Sequence, residues 1–156
     1  MRLFSFLDPL ITRWMADHGI KFLRYSIALI FIWFGALKYF PGLSPAEDLA
    51  IATVNLMTFD LIPPQVSIFL LATLEVLIGA LMLSGKWLRF TILLLLFQMV
   101  GTMSPIVLFP DQVFTQIPFG LTLEGQYIIK NFVVISAAIV IGATVRGGHL
   151  TPDPTG

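Results

Sequence analysis

The side chains of this chain that could do chemistry are few, and most lie in apolar company. Glu75 stands near the middle of FLLATLEVLIGALML, residues 69–83. If that run crosses a membrane, the carboxylate sits as deep as a charge can, at a cost of about 2.5–3.5 kcal/mol, and should face other helices and find a partner. Ala72, Glu75, Gly79 and Met82 fall on one helical face, where small residues allow a neighbouring helix to approach closely. The candidate partners are Lys38, Lys130 with Asn131 beside it, and Gln98, which shares a face with Thr91, Thr102 and Pro105. A lysine stem of about 6 Å can reach inward to a carboxylate or outward to water. The expected arrangement is one buried polar cluster, Lys38–Glu75–Gln98–Lys130, with Asn131 alongside, opening towards the outer face. A protonatable carboxylate there would suit a proton relay or a quinone site. The plainer alternative is an internal Glu75–lysine pair that only fixes helix register.

What is missing narrows the chemistry further. There are no cysteines, which removes disulfides, thiolate metal sites and the mechanism of four-helix membrane thiol oxidoreductases. His18 and His149 lie near the two chain ends without a ligand-spaced neighbour, so a metal site has little support. Catalysis by this chain alone is not expected. The methionines read as filler, Trp33 as lipid-facing or packing, and Trp87 as an interfacial aromatic.

The elements that must hold these residues follow from hydropathy. Of 156 residues, 57% are hydrophobic and 12% charged, with a mean hydropathy of +0.91. A soluble domain carries about twice that charge fraction, so the expected class is an all-α, four-helix transmembrane bundle in a lipid bilayer, one domain over 1–156. Apolar runs near 22–40, 64–83, 87–108 and 126–145 each approach the ~20 residues needed for a ~30 Å hydrocarbon core. Pro63 and Pro64 open the second and Gly85 closes it; Pro105 should bend the third. Asp8–Pro9 and Gly19 read as start and stop of a short amphipathic interfacial helix over 9–18; Asp8, Pro9 and Arg13 also argue against a signal peptide. SPAED, with Ser44 as cap and Glu47 reaching back, announces a short outer-loop helix over about 45–58. FTQIPFGLTLEG suggests a small hairpin around Pro118–Gly120, and 150–156 a disordered tail.

Charge sets the orientation. Arg2, Arg13, Lys21, Arg24, Lys86, Arg89 and Arg146, seven of the nine basic residues, share one side, while Glu47, Asp48, Asp60, Asp111 and Glu124 occupy the other. The expectation is therefore a multi-pass protein with both termini cytoplasmic. Net charge is zero and no basic face of the kind nucleic acid requires is present.

Four segments, FIWFGALKYFP, LEVLIGALML, MSPIVLF and GQYIIKN, occur in this order, one per span. Together they resemble the YkgB/RclC-type inner-membrane proteins, relatives of the DoxX group, over residues 24–147. The resemblance carries over Lys38, Glu75, Pro105 and Lys130. It departs in a short first outer loop and in Asn131, where an Asp is familiar. It implies a four-helix protein of the bacterial inner membrane, a role in resistance to reactive chlorine and other oxidants, and an association with quinone-linked or thiol-stress oxidoreductase complexes; the polar pocket read from the residues would then engage quinone or lipid. A redox partner protein or a homo-oligomer would complete its activity. The alternatives are a small proton-coupled transporter using Glu75, which with four spans would need an oligomer, and a purely structural subunit.

Overall fold

The computed structural model describes residues 2–152, with side chains from residue 7 onward. Along the chain come α1 (Arg2–Leu37), α2 (Glu47–Met57), α3 (Pro64–Ser84), α4 (Leu88–Met103), α5 (Pro105–Leu108), α6 (Pro110–Val113), β1 (Phe114–Gln116), β2 (Gly120–Leu121) and α7 (Leu123–Thr144). Four stretches are long and apolar enough to cross a membrane: Leu7–Leu37, Pro64–Ser84, Leu88–Leu108 and Leu123–Thr144. The chain is thus an all-α, multi-pass membrane protein, its one described sheet a two-stranded hairpin. Four crossings put the start of α1, the end of α7 and the α3–α4 turn at one end of the bundle, called the termini end. The α2 to β2 segments lie at the other, the loop end.

α3 begins and stops where proline and glycine chemistry requires. Pro63 caps it, Pro64 takes the first position, and Gly85 ends it with a left-handed φ of 71°. The third span breaks near its end, as Pro105 demands: α4 closes at Met103 and a short α5 starts at the proline. α7 starts about one turn earlier than hydropathy suggests because Thr122 caps it, accepting from the Gly125 amide at 3.0 Å. β1 and β2 pair Phe114 with Leu121, with Pro118 in the turn between them.

The N-terminal boundary differs from expectation. Residues 9–18 are not a separate interfacial helix; α1 runs unbroken through Pro9 and Gly19 and stops at Leu37 rather than 40. Gly19 ends a helix only by adopting a left-handed conformation, and it does not. Aromatic contacts bridge it instead: Trp14 stacks on His18 at 5.2 Å and meets Phe22, three residues past the glycine, at 5.8 Å. Ile20 and Leu23 then pack on the core, so the helix gains burial by continuing.

The SPAED capping box is likewise displaced. α2 starts at Glu47 behind Ala46, without a side-chain cap. Glu47 does reach back, but its carboxylate accepts from the Gly42 amide at 2.9 Å, since a turn over 44–46 comes between. Of the expected tail, residues 153–156 lie outside the described residues. Leu150, in irregular chain, comes within 3.9 Å of where a Cβ on Gly19 would sit.

The main core joins Ile27, Ala28 and Phe31 of α1, Ile78 and Met82 of α3, Leu95 and Met99 of α4, and Ala138 and Ile141 of α7. A second cluster, around Leu49, Val113 and Ile128, fills the loop end. Leu29, Trp33, Leu93, Phe97 and Val133 point away from both, 62–73% exposed. In a bilayer such a surface meets lipid tails. α1 and α3 pack closest. A Cβ on Gly79 would come 2.9 Å from the Ala28 carbonyl, and one on Gly35 would come 3.0 Å from the Val76 amide. Only glycine admits backbones this near.

Candidate functional site

Three of the four spans bring a side chain, or their backbone, to a common point. Glu75 lies on the buried face of α3 beside Ala72, Ile78 and Gly79. Gly35 lets it lie there: any Cβ on residue 35 would meet the Glu75 Cβ at 2.9 Å. One turn later α1 ends, and Lys38 is the first residue of the turn that follows. Its stem is therefore free of the helix and turns back along it. The ammonium donates to Glu75 Oε2 at 2.7 Å and lies 3.4 Å from the Phe34 carbonyl. From α4, Gln98 Nε2 donates to the other carboxylate oxygen, Oε1, at 3.1 Å. Thr102 donates to the Gln98 main-chain carbonyl at 3.2 Å.

The carboxylate is thus gripped on both oxygens, by a cation from α1 and an amide from α4. The Lys38 and Glu75 side chains retain only 12% and 11% of their exposure. In such surroundings a charge-assisted hydrogen bond is stronger than in water, and a missing partner is correspondingly costly. One group has no partner: Gln98 Oε1 is buried and accepts no hydrogen bond. The site therefore offers a matched ion pair and, beside it, an unused acceptor.

The structure brings Lys38, Glu75 and Gln98 together and leaves the other two candidates apart. Lys130 is exposed on α7, its ammonium 5.7 Å from the centre of the Tyr127 ring one turn before. Asn131 is half-buried and makes no side-chain hydrogen bond among the described residues. Charge balance explains the exclusion of Lys130. One ammonium already neutralises the carboxylate, and burying a second would leave it uncompensated; a long stem over an aromatic ring keeps its charge at the surface. The cluster itself is largely buried, Lys38 and Glu75 keeping only about a tenth of their exposure. A cleft of about 640 Å³ does open at the loop end, but Gly42, Ser44, Pro45, Glu47, Gln112 and Glu124 line it, and neither Lys38 nor Glu75 does.

Two features escape a reading by residue type. Gly35 has no polar group to attract notice; its signal was its place one turn before Lys38. Tyr39, next to Lys38, shares a hydrogen bond with Thr73 at 2.9 Å and meets Phe69 edge-on at 5.4 Å. This second tie between α1 and α3 closes the loop-end side of the pair.

Against known proteins, the DoxX family model matches residues 19–109, more than half of the chain. Neither curated proteins nor solved structures gave a match.

Proposed function

The chain belongs to the DoxX family, and from that premise we propose that it is a partner-dependent component of the bacterial inner membrane in the oxidant-stress response, akin to the YkgB/RclC-type proteins. Its Lys38–Glu75–Gln98 cluster receives the polar head of a quinone. Both termini face the cytoplasm, because seven of nine basic residues lie at the termini end.

The observation that carries the ligand assignment is the unpartnered, buried Gln98 Oε1 beside the ion pair. A quinone oxygen accepts from an ammonium, and the hydroxyl of its reduced form donates to an amide oxygen. Lys38 and Gln98 carry those two complements within one cluster. Apolar helices around it suit the rest of such a molecule. A redox partner would supply and remove the electrons, since this chain has no thiol and no cofactor motif.

Close packing at Gly35 and Gly79, both towards the termini end of the pair, favours a second reading, in which the cluster only locks α1, α3 and α4 in register. Glu75→Gln separates the two. For a ligand site, the variant accumulates in the membrane at near wild-type level, cells expressing it lose oxidant resistance, and native mass spectrometry of the purified protein shows bound quinone reduced. Loss of folded protein in proportion to resistance would instead leave the register reading in place.

A further inference from the structure

At the termini end, the α3–α4 turn, the start of α4 and Val145 line a partly apolar recess with a basic edge, which the Glu75 cluster does not use. Arg24 of α1 lies across the end of α3: its Nη1 is 2.6 Å from where a Cβ on Gly85 would sit. Its Nε is buried and has no hydrogen-bond partner. No carboxylate answers it, the one ion pair among the described residues being Lys38–Glu75. The turn itself, SGKWLRF over 84–90, adds Lys86 and Arg89 and no acid. Beside it lies a cleft of about 490 Å³ lined by Gly85, Trp87, Leu88, Arg89, Phe90 and Val145. Arg89 gives this cleft its one cationic edge, and the rest of the lining is apolar or glycine.

The depth is informative. Ten residues separate Glu75 from Gly85 along α3, about 15 Å at 1.5 Å per residue. With Glu75 near the middle of a ~30 Å hydrocarbon core, Arg24 and the cleft fall where headgroups begin. Trp87, 77% exposed and held at a φ of 53°, presents its indole at the same level.

We propose that Arg24, Arg89 and the α3–α4 turn bind the phosphodiester of an anionic phospholipid from the leaflet at the termini end. A guanidinium matches phosphate oxygens in a fork of parallel hydrogen bonds, and neither Arg24 nor Arg89 has a carboxylate partner among the described residues. Lys86 adds positive charge that a zwitterionic headgroup would not reward. Leu88, Phe90 and Val145 continue the cleft towards the hydrocarbon, along the path of an acyl chain. A free phosphate could use the cationic edge alone and would leave this apolar wall without an occupant.

Native mass spectrometry of the full-length protein in detergent, with phosphatidylglycerol and phosphatidylcholine supplied at equal concentration, tests the site. The wild type should retain phosphatidylglycerol about tenfold more, the worth of one charge-assisted hydrogen bond. Arg24→Gln and Arg89→Gln, tested separately, should each reduce that preference. Arg89 is exposed, so its variant serves even if Arg24→Gln does not fold. Equal retention of the two lipids, or a preference unchanged in the folded variants, overturns the proposal. So does inorganic phosphate raising thermal stability as much as phosphatidylglycerol, which would mark a site for soluble anions.

Discussion

Lys38 and Glu75 are unequal partners, although they share one ion pair. The lysine follows the end of α1, and its stem can carry the ammonium to water; the carboxylate is short and fixed to the middle of α3. Lys38→Met should therefore destabilise the protein strongly, by about 3–5 kcal/mol, the usual cost of breaking a buried pair from one side. Glu75→Gln should cost clearly less, because its amide can still meet Gln98 and the freed lysine can snorkel. The double variant Lys38→Met/Glu75→Leu should come close to the wild type, since apolar replacement of a buried pair is often neutral. Thermal unfolding in detergent ranks the three, and equal losses for the two single variants would contradict this asymmetry. Residue type alone singled out Glu75, Lys38 and Gln98, because few other groups at that depth carry polarity. It could not choose between the lysines. That choice rests on where α1 ends and on Lys130 lying over Tyr127, neither of which spacing reveals.

Among the elements, α1 and α3 owe their close approach to two glycines. Gly79→Ala would bring a Cβ to 2.6 Å from Ile32 Cγ1 and 2.9 Å from the Ala28 carbonyl. Overpacking of this kind costs about 1–3 kcal/mol. Gly101→Ala meets nothing within 4 Å and should leave stability unchanged or raise it by up to about 1 kcal/mol, through helix propensity. Unfolding midpoints of the two variants should move in opposite directions or differ plainly in size. Most of the span boundaries were readable from prolines, glycines and run length, as α3 illustrates at both ends. The misreading of α1 came from taking Pro9 and Gly19 as punctuation one at a time. A stop signal competes with the packing gained by going on, and here Trp14, His18 and Phe22 on one side, with Ile20 and Leu23 on the other, outweigh it. The SPAED box misled for a related reason: the Glu47 carboxylate, at the first residue of α2 rather than the third, takes the amide that the incoming loop presents, here that of Gly42.

On the scale of the whole molecule, the two ends differ in sign. Basic residues gather at the termini end and acidic ones around α2 and the hairpin. The chain contains no cysteine, so single introduced thiols report orientation without background. Thr115→Cys on the hairpin should react with a membrane-impermeant maleimide once the outer barrier is opened. Lys86→Cys in the α3–α4 turn should react only after the inner membrane is permeabilised. Both residues are exposed in the fold, so the reverse pattern would mean an inverted topology rather than hidden thiols. Charge asymmetry of this sort is visible in sequence, since it needs only the order of loops. The closing of the polar cluster is not, because it depends on Tyr39 and Thr73 meeting from different helices.

Only three residues, Gly85–Trp87, link α3 to α4, and this brevity bears on biogenesis. Two spans so tightly joined enter a bilayer as one hairpin, with Glu75 and Gln98 already facing each other across it. α1 is synthesised earlier and waits with Lys38 at its far end. The carboxylate thus never has to cross the hydrocarbon unaccompanied: an amide escorts it in, and a cation stands ready to receive it.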